Sequence, residues 1–280
     1  MKTIKAIYLL SRPLNCLITF FTIVIATYIC SASINLTLSL LAGFIGALVN
    51  AGGNIINDYF DIEIDKINRP NRPLASGLIK KQFALRAYIY LTFFALSLSY
   101  FNLPTTALYI VIVTILMMFI YSFKFKRLPL VGNFVVSFFT GLAFLFGSVV
   151  VGNIYCGIIP ACFAFIISFM RELVKDIEDI EGDKSIGAST FPVKYGVNKS
   201  VKLISILGVI LILATTVPVL LKIYNWYYFI FVSFFVNSLL IIVIDKLNSK
   251  TSLKILRDVS NLLKVGMVFG VISILIGVKF

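Results

Sequence analysis

Long apolar runs separated by short charged or turn-rich breaks dominate the chain. Nine of them stand out, at residues 14–31, 36–60, 83–101, 105–122, 131–150, 154–174, 201–221, 226–245 and 259–278. A helix needs about 20 apolar residues to cross a hydrocarbon core of ~30 Å. Backbone groups facing lipid must also be satisfied inside their own segment. The pattern therefore predicts an all-α integral membrane protein with nine transmembrane helices, filling residues 1–280 as a single domain. Composition agrees, with 60% hydrophobic and 13% charged residues. Soluble domains run near ~45–50% and ~25%. A soluble enzyme, a disordered chain and a nucleic-acid-binding domain are excluded, despite a net charge of +13.

The charges have a direction. If the N-terminus is cytoplasmic, all 25 Lys and Arg residues except Lys222 and Lys279 fall on the cytoplasmic side. That asymmetry predicts an N-terminus inside, a C-terminus outside and a multi-pass protein of the cell membrane. Topology and attraction to anionic headgroups then account for most of the basic excess, and nothing calls for nucleic acid or an obligate protein partner. Arg12 and Pro13 interrupt the first apolar stretch and no small-residue cleavage site follows, so no signal peptide is expected.

The 12 acids are not scattered. Asp245 and Asp258 stand apart. The others form two clusters, Asp58, Asp61, Glu63 and Asp65, then Glu172, Asp176, Glu178, Asp179, Glu181 and Asp183. Residues 58–66 read DYFDIEIDK and residues 176–184 read DIEDIEGDK, so both fit DxxDIExDK. Either an internal duplication or two helix ends shaped for one task would produce this. Helical periodicity places Asn57, Asp61 and Asp65 on one face, and Glu172, Asp176, Asp179 and Asp183 on another. Glu63, Glu178 and Glu181 point elsewhere, as solvated groups or partners of nearby Lys.

Aligned carboxylates repel one another unless a cation intervenes. The chain has no His, so a His-ligated metal is excluded. Oxygen-only ligands select hard cations, chiefly Mg²⁺, which completes its shell with water and substrate phosphates. The metal candidates are Asn57, Asp58, Asp61, Asp65, Asp176, Asp179 and Asp183. Catalytic work falls to Asp61, Asp65, Asp179 and Asp183. Two facing rows could hold Mg²⁺ ions bridged by a diphosphate. Basic residues interleave with these acids, and Lys66, Arg69, Arg72, Tyr121, Lys126, Lys175 and Lys184 are candidates for binding a phosphate-bearing substrate. Pro70 and Pro73 are expected to hold their loop extended.

Other features read plainly. Cys16, Cys30, Cys156 and Cys162 show no CxxC spacing and are expected to be packing residues. A Cys30–Cys156 disulfide is possible if both sit near one membrane face. Gly43, Gly46, Gly52, Gly53, Gly266 and Gly270 are expected to let helices approach closely. Asn50 and Asn54 should face a cavity. Asn35-Leu36-Thr37 fits a glycosylation sequon but lies too near the membrane to carry weight.

The blocks NDYFDIEIDKINRPNRPLASG and RELVKDIEDIEGDKSIGASTFPVKYG resemble the two motifs of the UbiA-type intramembrane prenyltransferases. SRPLN and YSFKFKR resemble that family's lesser signatures. The resemblance implies nine helices around a central cavity. It implies an allylic diphosphate held through Mg²⁺ at the cytoplasmic end, with the prenyl chain in a membrane-level tunnel. The family's NxxxDxxxD pattern falls on Asn57, Asp61 and Asp65, beside Asp58, and its second pattern on Asp176, Asp179 and Asp183. Arg72, Arg69 and Lys126 fall where the family grips the diphosphate. The pair of blocks is most similar to the archaeal branch that makes digeranylgeranylglyceryl phosphate. That implies transfer of a geranylgeranyl group to geranylgeranylglyceryl phosphate in ether-lipid synthesis. Prenylation of an aromatic acid in quinone synthesis is the alternative. A divalent-cation transporter is more distant, because the acids lie at helix ends rather than at the midplane.

Overall fold

The computed structural model describes residues 2–31, 35–123, 129–185, 187–249 and 251–279, and every regular element among them is helical. In chain order these are α1 (Lys2–Ser11), α2 (Pro13–Cys30), α3 (Leu36–Phe60), α4 (Ile62–Asn68), α5 (Lys81–Asn102), α6 (Thr105–Phe123) and α7 (Val131–Val150). They continue with α8 (Ile154–Glu178), α9 (Ile180–Ser185), α10 (Phe191–Tyr195), α11 (Val197–Leu220), α12 (Trp226–Ser249) and α13 (Leu253–Lys279). Among the described residues, α2, α3, α5–α8 and α11–α13 are the nine helices long and apolar enough to cross a membrane. Each matches one expected run to within a few residues. The largest departure is α13, which begins at Leu253, and α8 also runs past its expected end to Glu178. Arg171, Arg257 and Lys264 therefore sit on spanning helices rather than in loops. Tyr90, Phe93, Leu213 and Phe234 are exposed, as lipid-facing side chains would be.

Contacts divide the chain into two compact units. One comprises Met1–Lys126 with Ala143–Gly157, the other Arg127–Leu142 with Ile158–Phe280. In the first unit α3 packs against α1, α2, α5 and α6. Its small residues make this possible. A Cβ on Gly43 would lie 2.9 Å from the Phe20 carbonyl oxygen, so any larger residue would force α2 away. The apolar centre includes Ile23, Ile45, Val49, Ala95, Val111 and Phe146. Asn50 donates to the Asn15 carbonyl and Asn54 to that of Ser11. These two asparagines thus tie α3 to the end of α1 and the first turn of α2. Asn35 caps α3 by accepting from the Leu38 N–H at 3.0 Å, which gives the sequon a structural use.

The second unit is held by polar contacts inside its spans as well as by packing. Thr215 of α11 and Asn237 of α12 hydrogen-bond at 3.2 Å, both buried. Asn237 closes a π-helical turn, Val232–Asn237, within α12. Asn225 caps α12 by accepting from Tyr228 N–H and donates to the Ile276 carbonyl of α13. Among the described residues nothing lies within 4 Å of a Cβ built on Gly270, so they show no close approach there.

Cys30 and Cys156 form a disulfide, with their Cα atoms 5.5 Å apart. The expectation of four packing cysteines fails for this pair. The α7–α8 turn returns the chain to the end of α2, where Asn153 donates to the Cys30 carbonyl. No local pattern encodes that approach, because the two cysteines are 126 residues apart. Cys16 and Cys162 are free. Closing so long a loop restricts the unfolded chain by roughly 4–5 kcal/mol in the chain-entropy picture. Peptide mapping without reductant should recover residues 30 and 156 cross-linked while Cys16 and Cys162 take an alkylating label. The Cys30→Ser/Cys156→Ser double variant should melt several degrees below the wild type.

Candidate active site

Both DxxDIExDK segments end a spanning helix at the same internal position. α3 stops at Phe60 and α4 starts at Ile62, leaving Asp61 at the break. α8 stops at Glu178 and α9 starts at Ile180, leaving Asp179 there. Hydrogen bonds from residue i to i−4 nevertheless persist through each break. Asp61 N–H bonds the Asn57 carbonyl and Asp65 N–H that of Asp61. Asp179 N–H bonds the Lys175 carbonyl and Asp183 N–H that of Asp179. The helical spacing of the carboxylates thus survives the interruption.

In the first unit, Asp58, Asp61 and Asp65 are 3%, 5% and 6% exposed. Asp58 Oδ1 accepts from Arg12 Nη2 at 2.6 Å and from Arg72 Nη1 at 3.1 Å. Arg72 Nη1 also donates to Asp65 Oδ2 at 2.6 Å. Asn57 donates to Asp61 Oδ2 at 3.0 Å. Burial pushes the Asp65 carboxyl above the usual range. Its bond to Arg72 and that residue's charge oppose the shift, while Asp58 and Asp61 add to it.

Local sequence explains how the arginines arrive. Pro13 bars Arg12 from the right-handed helical region. Arg12 adopts φ 51°, ψ 70°, and the chain breaks between α1 and α2. Arg72 sits in the loop after α4. That loop is a series of tight turns rather than the expected extended strap, with Arg72 N–H bonded to the Arg69 carbonyl and Ser76 N–H to that of Arg72. The turns let Leu74 and Ile79 reach a buried cluster with Ala6, Leu10, Ile55 and Ala84. Packing of those two apolar residues therefore holds the guanidinium in place.

In the second unit, Asp176 accepts from Asn133 Nδ2 of α7 at 2.7 Å. Asp183, Glu172 and Asp179 lie within electrostatic reach of it. Asp183 accepts from Thr190 Oγ1 at 3.0 Å. Lys175 Nζ and Arg171 Nη1 both donate to Glu172 Oε1, at 2.6 and 3.1 Å. Two of the three expected outliers pair with a nearby lysine as anticipated, and the third, Glu178, is instead held by an arginine distant in sequence. Glu63 pairs with Lys66 at 2.8 Å and Glu181 with Lys184 at 3.8 Å. Glu178 takes Arg257 of α13 at 2.9 Å.

Of the candidates drawn from sequence, the structure gathers Asn57, Asp58, Asp61, Asp65 and Arg72 in one unit. In the other it gathers Asp176, Asp179 and Asp183, with Lys175 on the neighbouring helix face. Lys66, Arg69 and Lys184 are exposed, and the two lysines are occupied by glutamates. Tyr121 is half-buried at the end of α6. Lys126 lies outside the described residues. Sequence reasoning missed Arg12, Asn133 and Thr190 as partners of the acids. Arg12 carried a signal, since its Arg-Pro pair interrupts an apolar run. Asn133 and Thr190 carried none.

The donor types of the first row suit a hard divalent cation, although among the described residues no three acidic side chains are grouped as ligands of one ion. The row's donors are oxygens alone. Three buried carboxylates face two guanidinium groups, which leaves an excess of negative charge. Burial already raises the Asp65 carboxyl, and a bound cation would relieve that desolvation.

Comparisons with known proteins show what the whole chain is similar to. The chain is 37% identical over 268 residues to a digeranylgeranylglyceryl phosphate synthase of Thermococcus sibiricus, covering 95% of this chain and 94% of that one. It is 36% identical to the synthase of the same name from Pyrococcus furiosus, covering 98% and 97%. A solved digeranylgeranylglyceryl phosphate synthase superposes with a TM-score of 0.82 at 35% identity over 99% of both chains. A UbiA homologue from Archaeoglobus fulgidus, bound to GPP and Mg²⁺, shares the fold at a TM-score of 0.70 and 18% identity. The model of the UbiA prenyltransferase family matches residues 16–264, which take in both acidic rows, seven full spans and parts of the first and last, and by this measure the chain belongs to that family.

Proposed function

We propose that this protein transfers a geranylgeranyl group from its allylic diphosphate to the free hydroxyl of geranylgeranylglyceryl phosphate, a step in archaeal ether-lipid synthesis. The observation that carries the reading is the buried row of Asp58, Asp61 and Asp65 interlocked with Arg12 and Arg72. Carboxylates for a cation beside guanidinium groups for phosphate oxygens are what a metal-bound diphosphate needs. The curated relatives support the choice of acceptor.

The reading assigns Asn57, Asp61 and Asp65 to one Mg²⁺ and Asp176, Asp179 and Asp183 to another, with Asp58 adding to the field while it holds the two arginines. When bound, Mg²⁺ neutralises charge that accumulates on the departing diphosphate. Arg72, seated between Asp58 and Asp65, donates to diphosphate oxygens and steadies the same charge. In this proposal Lys66, Arg69 and Tyr121 of the first unit, Lys175 and Lys184 of the second, and Lys126 are further candidates for holding substrate phosphates. The allylic C1–O bond breaks, and the acceptor oxygen bonds to C1 and gives up its proton. With no His in the chain, a carboxylate, the diphosphate or water takes that proton. The apolar spans exclude water from the cationic carbon. The site opens to the cytoplasm. The basic asymmetry supports that orientation, as does the Cys30–Cys156 disulfide, which would persist on the oxidising face.

Purified protein with Mg²⁺ and geranylgeranyl diphosphate should alkylate geranylgeranylglyceryl phosphate and leave 4-hydroxybenzoate untouched. Product from the aromatic acid alone would overturn the choice of acceptor. Asp61→Asn and Asp179→Asn should each lower kcat/KM by about 10²–10³-fold or more while the protein stays folded. Full activity in both would sink the site assignment. Asp58→Ala strands charged hydrogen bonds and should cost about 1–3 kcal/mol of stability. It should also raise KM for the diphosphate donor through displacement of Arg72.

A further inference from the structure

We propose that facing sides of α8 and α13 form an anion site, built from Arg171, Lys175 and Lys264, that binds the phosphate monoester of the acceptor. The inference rests on the prenyl-transfer reading and adds a recognition element for the second substrate.

Geometry brings the residues together. Arg171, Lys175 and Glu178 lie at i, i+4 and i+7 on α8. Arg257, Asn261 and Lys264 follow the same spacing on α13, so each trio forms one helical stripe. The stripes meet in antiparallel register. Arg257 Nε donates to Glu178 Oε1 at 2.9 Å. Further along, a Cβ on Gly266 would lie 3.3 Å from Ile167 Cδ1. Between these contacts, Lys264 falls within electrostatic reach of both Arg171 and Lys175.

Charge makes the place unusual. Four cations meet two anions here: Glu172 accepts from Arg171 and Lys175, and Glu178 accepts from Arg257 and lies within electrostatic reach of Lys264. Arg171 Nε is shielded from solvent and has no hydrogen-bond partner among the described residues. Topology accounts for basic residues in loops but not for these positions. Arg171 lies about 10 Å of helix before the end of α8, and Lys264 about 16 Å beyond the start of α13. Charged groups within spanning helices are costly and mark functional paths. The surplus of two positive charges matches a phosphate monoester, which carries about −1.5 to −2 near neutral pH.

The stripe also lies beside the acidic row. Asp176 follows Lys175 and is turned by about 100° around α8. In a glycerol phosphate the reacting hydroxyl and the phosphate sit on neighbouring carbons. A phosphate held by Arg171, Lys175 and Lys264 therefore leaves the hydroxyl on the side of the carboxylates.

A phospholipid headgroup shares this chemistry, so the test separates the two sources. Lys264 is the residue to change, because its hydrogen bond to Asn261 is a long one, at 3.4 Å. Wild type, Lys264→Met and Lys264→Arg would be assayed in nanodiscs of zwitterionic or anionic lipid. The acceptors would be geranylgeranylglyceryl phosphate and its dephosphorylated alcohol. Lys264→Met should raise the KM for the phosphorylated acceptor about tenfold or more in both lipids. KM for the diphosphate donor and turnover of the alcohol should not change, and Lys264→Arg should restore most of the affinity. An unchanged KM, an equal loss with the alcohol, or a defect confined to anionic nanodiscs would overturn the proposal. If the wild type alkylates neither acceptor, the parent reading fails. If it alkylates the phosphate and Lys264→Met matches it, only this inference fails.

Discussion

The shared hold of Asp58 on Arg12 and Arg72 is the interaction on which the first unit's chemistry depends. One buried carboxylate oxygen accepts from a residue at the α1–α2 break and from another in the loop after α4. Three segments distant in sequence are thereby fixed at one end of α3. Removing any of the three charges would leave the others partly desolvated and unmatched, which is costlier than the net worth of the pair suggests. The arrangement also explains the left-handed backbone at Arg12. An unfavourable φ persists where proline forces the break and a buried acid rewards the outcome.

A second constraint is lipid itself. Where water cannot satisfy polar groups, the chain satisfies them with its own side chains. Asn50 and Asn54 bond carbonyls at the end of α1 and in the first turn of α2, and Thr215 meets Asn237 between α11 and α12. Close approach of α2 and α3 across Gly43 then supplies the packing that hydrophobicity alone does not give between helices in a bilayer. These contacts make the spans rigid enough for helix-end carboxylates to keep their spacing.

The acidic motifs join both themes. Each interrupts its helix at the second aspartate yet preserves the bonding that keeps the acids aligned. A helix end is where carboxylates can approach water and metal while staying attached to a rigid span. The repeated nine-residue pattern is thus the same solution reached in both units.

Much of this was legible in the chain itself. Apolar runs of fixed length specify spans, because the thickness of the bilayer and the hydrogen-bonding needs of the backbone leave helices as the choice. Carboxylates at helical spacing with no His specify an oxygen-only site, because ligand type and periodicity are local properties. The partners of those carboxylates were not legible. Arg12 reaches Asp58 across 46 positions and Asn133 reaches Asp176 across 43. The extended strap expected of Pro70 and Pro73 became turns because Leu74 and Ile79 found apolar partners elsewhere. The Cys30–Cys156 bridge and the meeting of Lys264 with Arg171 have the same origin. Which helix faces meet is set by packing among segments far apart in sequence, so only the tertiary structure decided it.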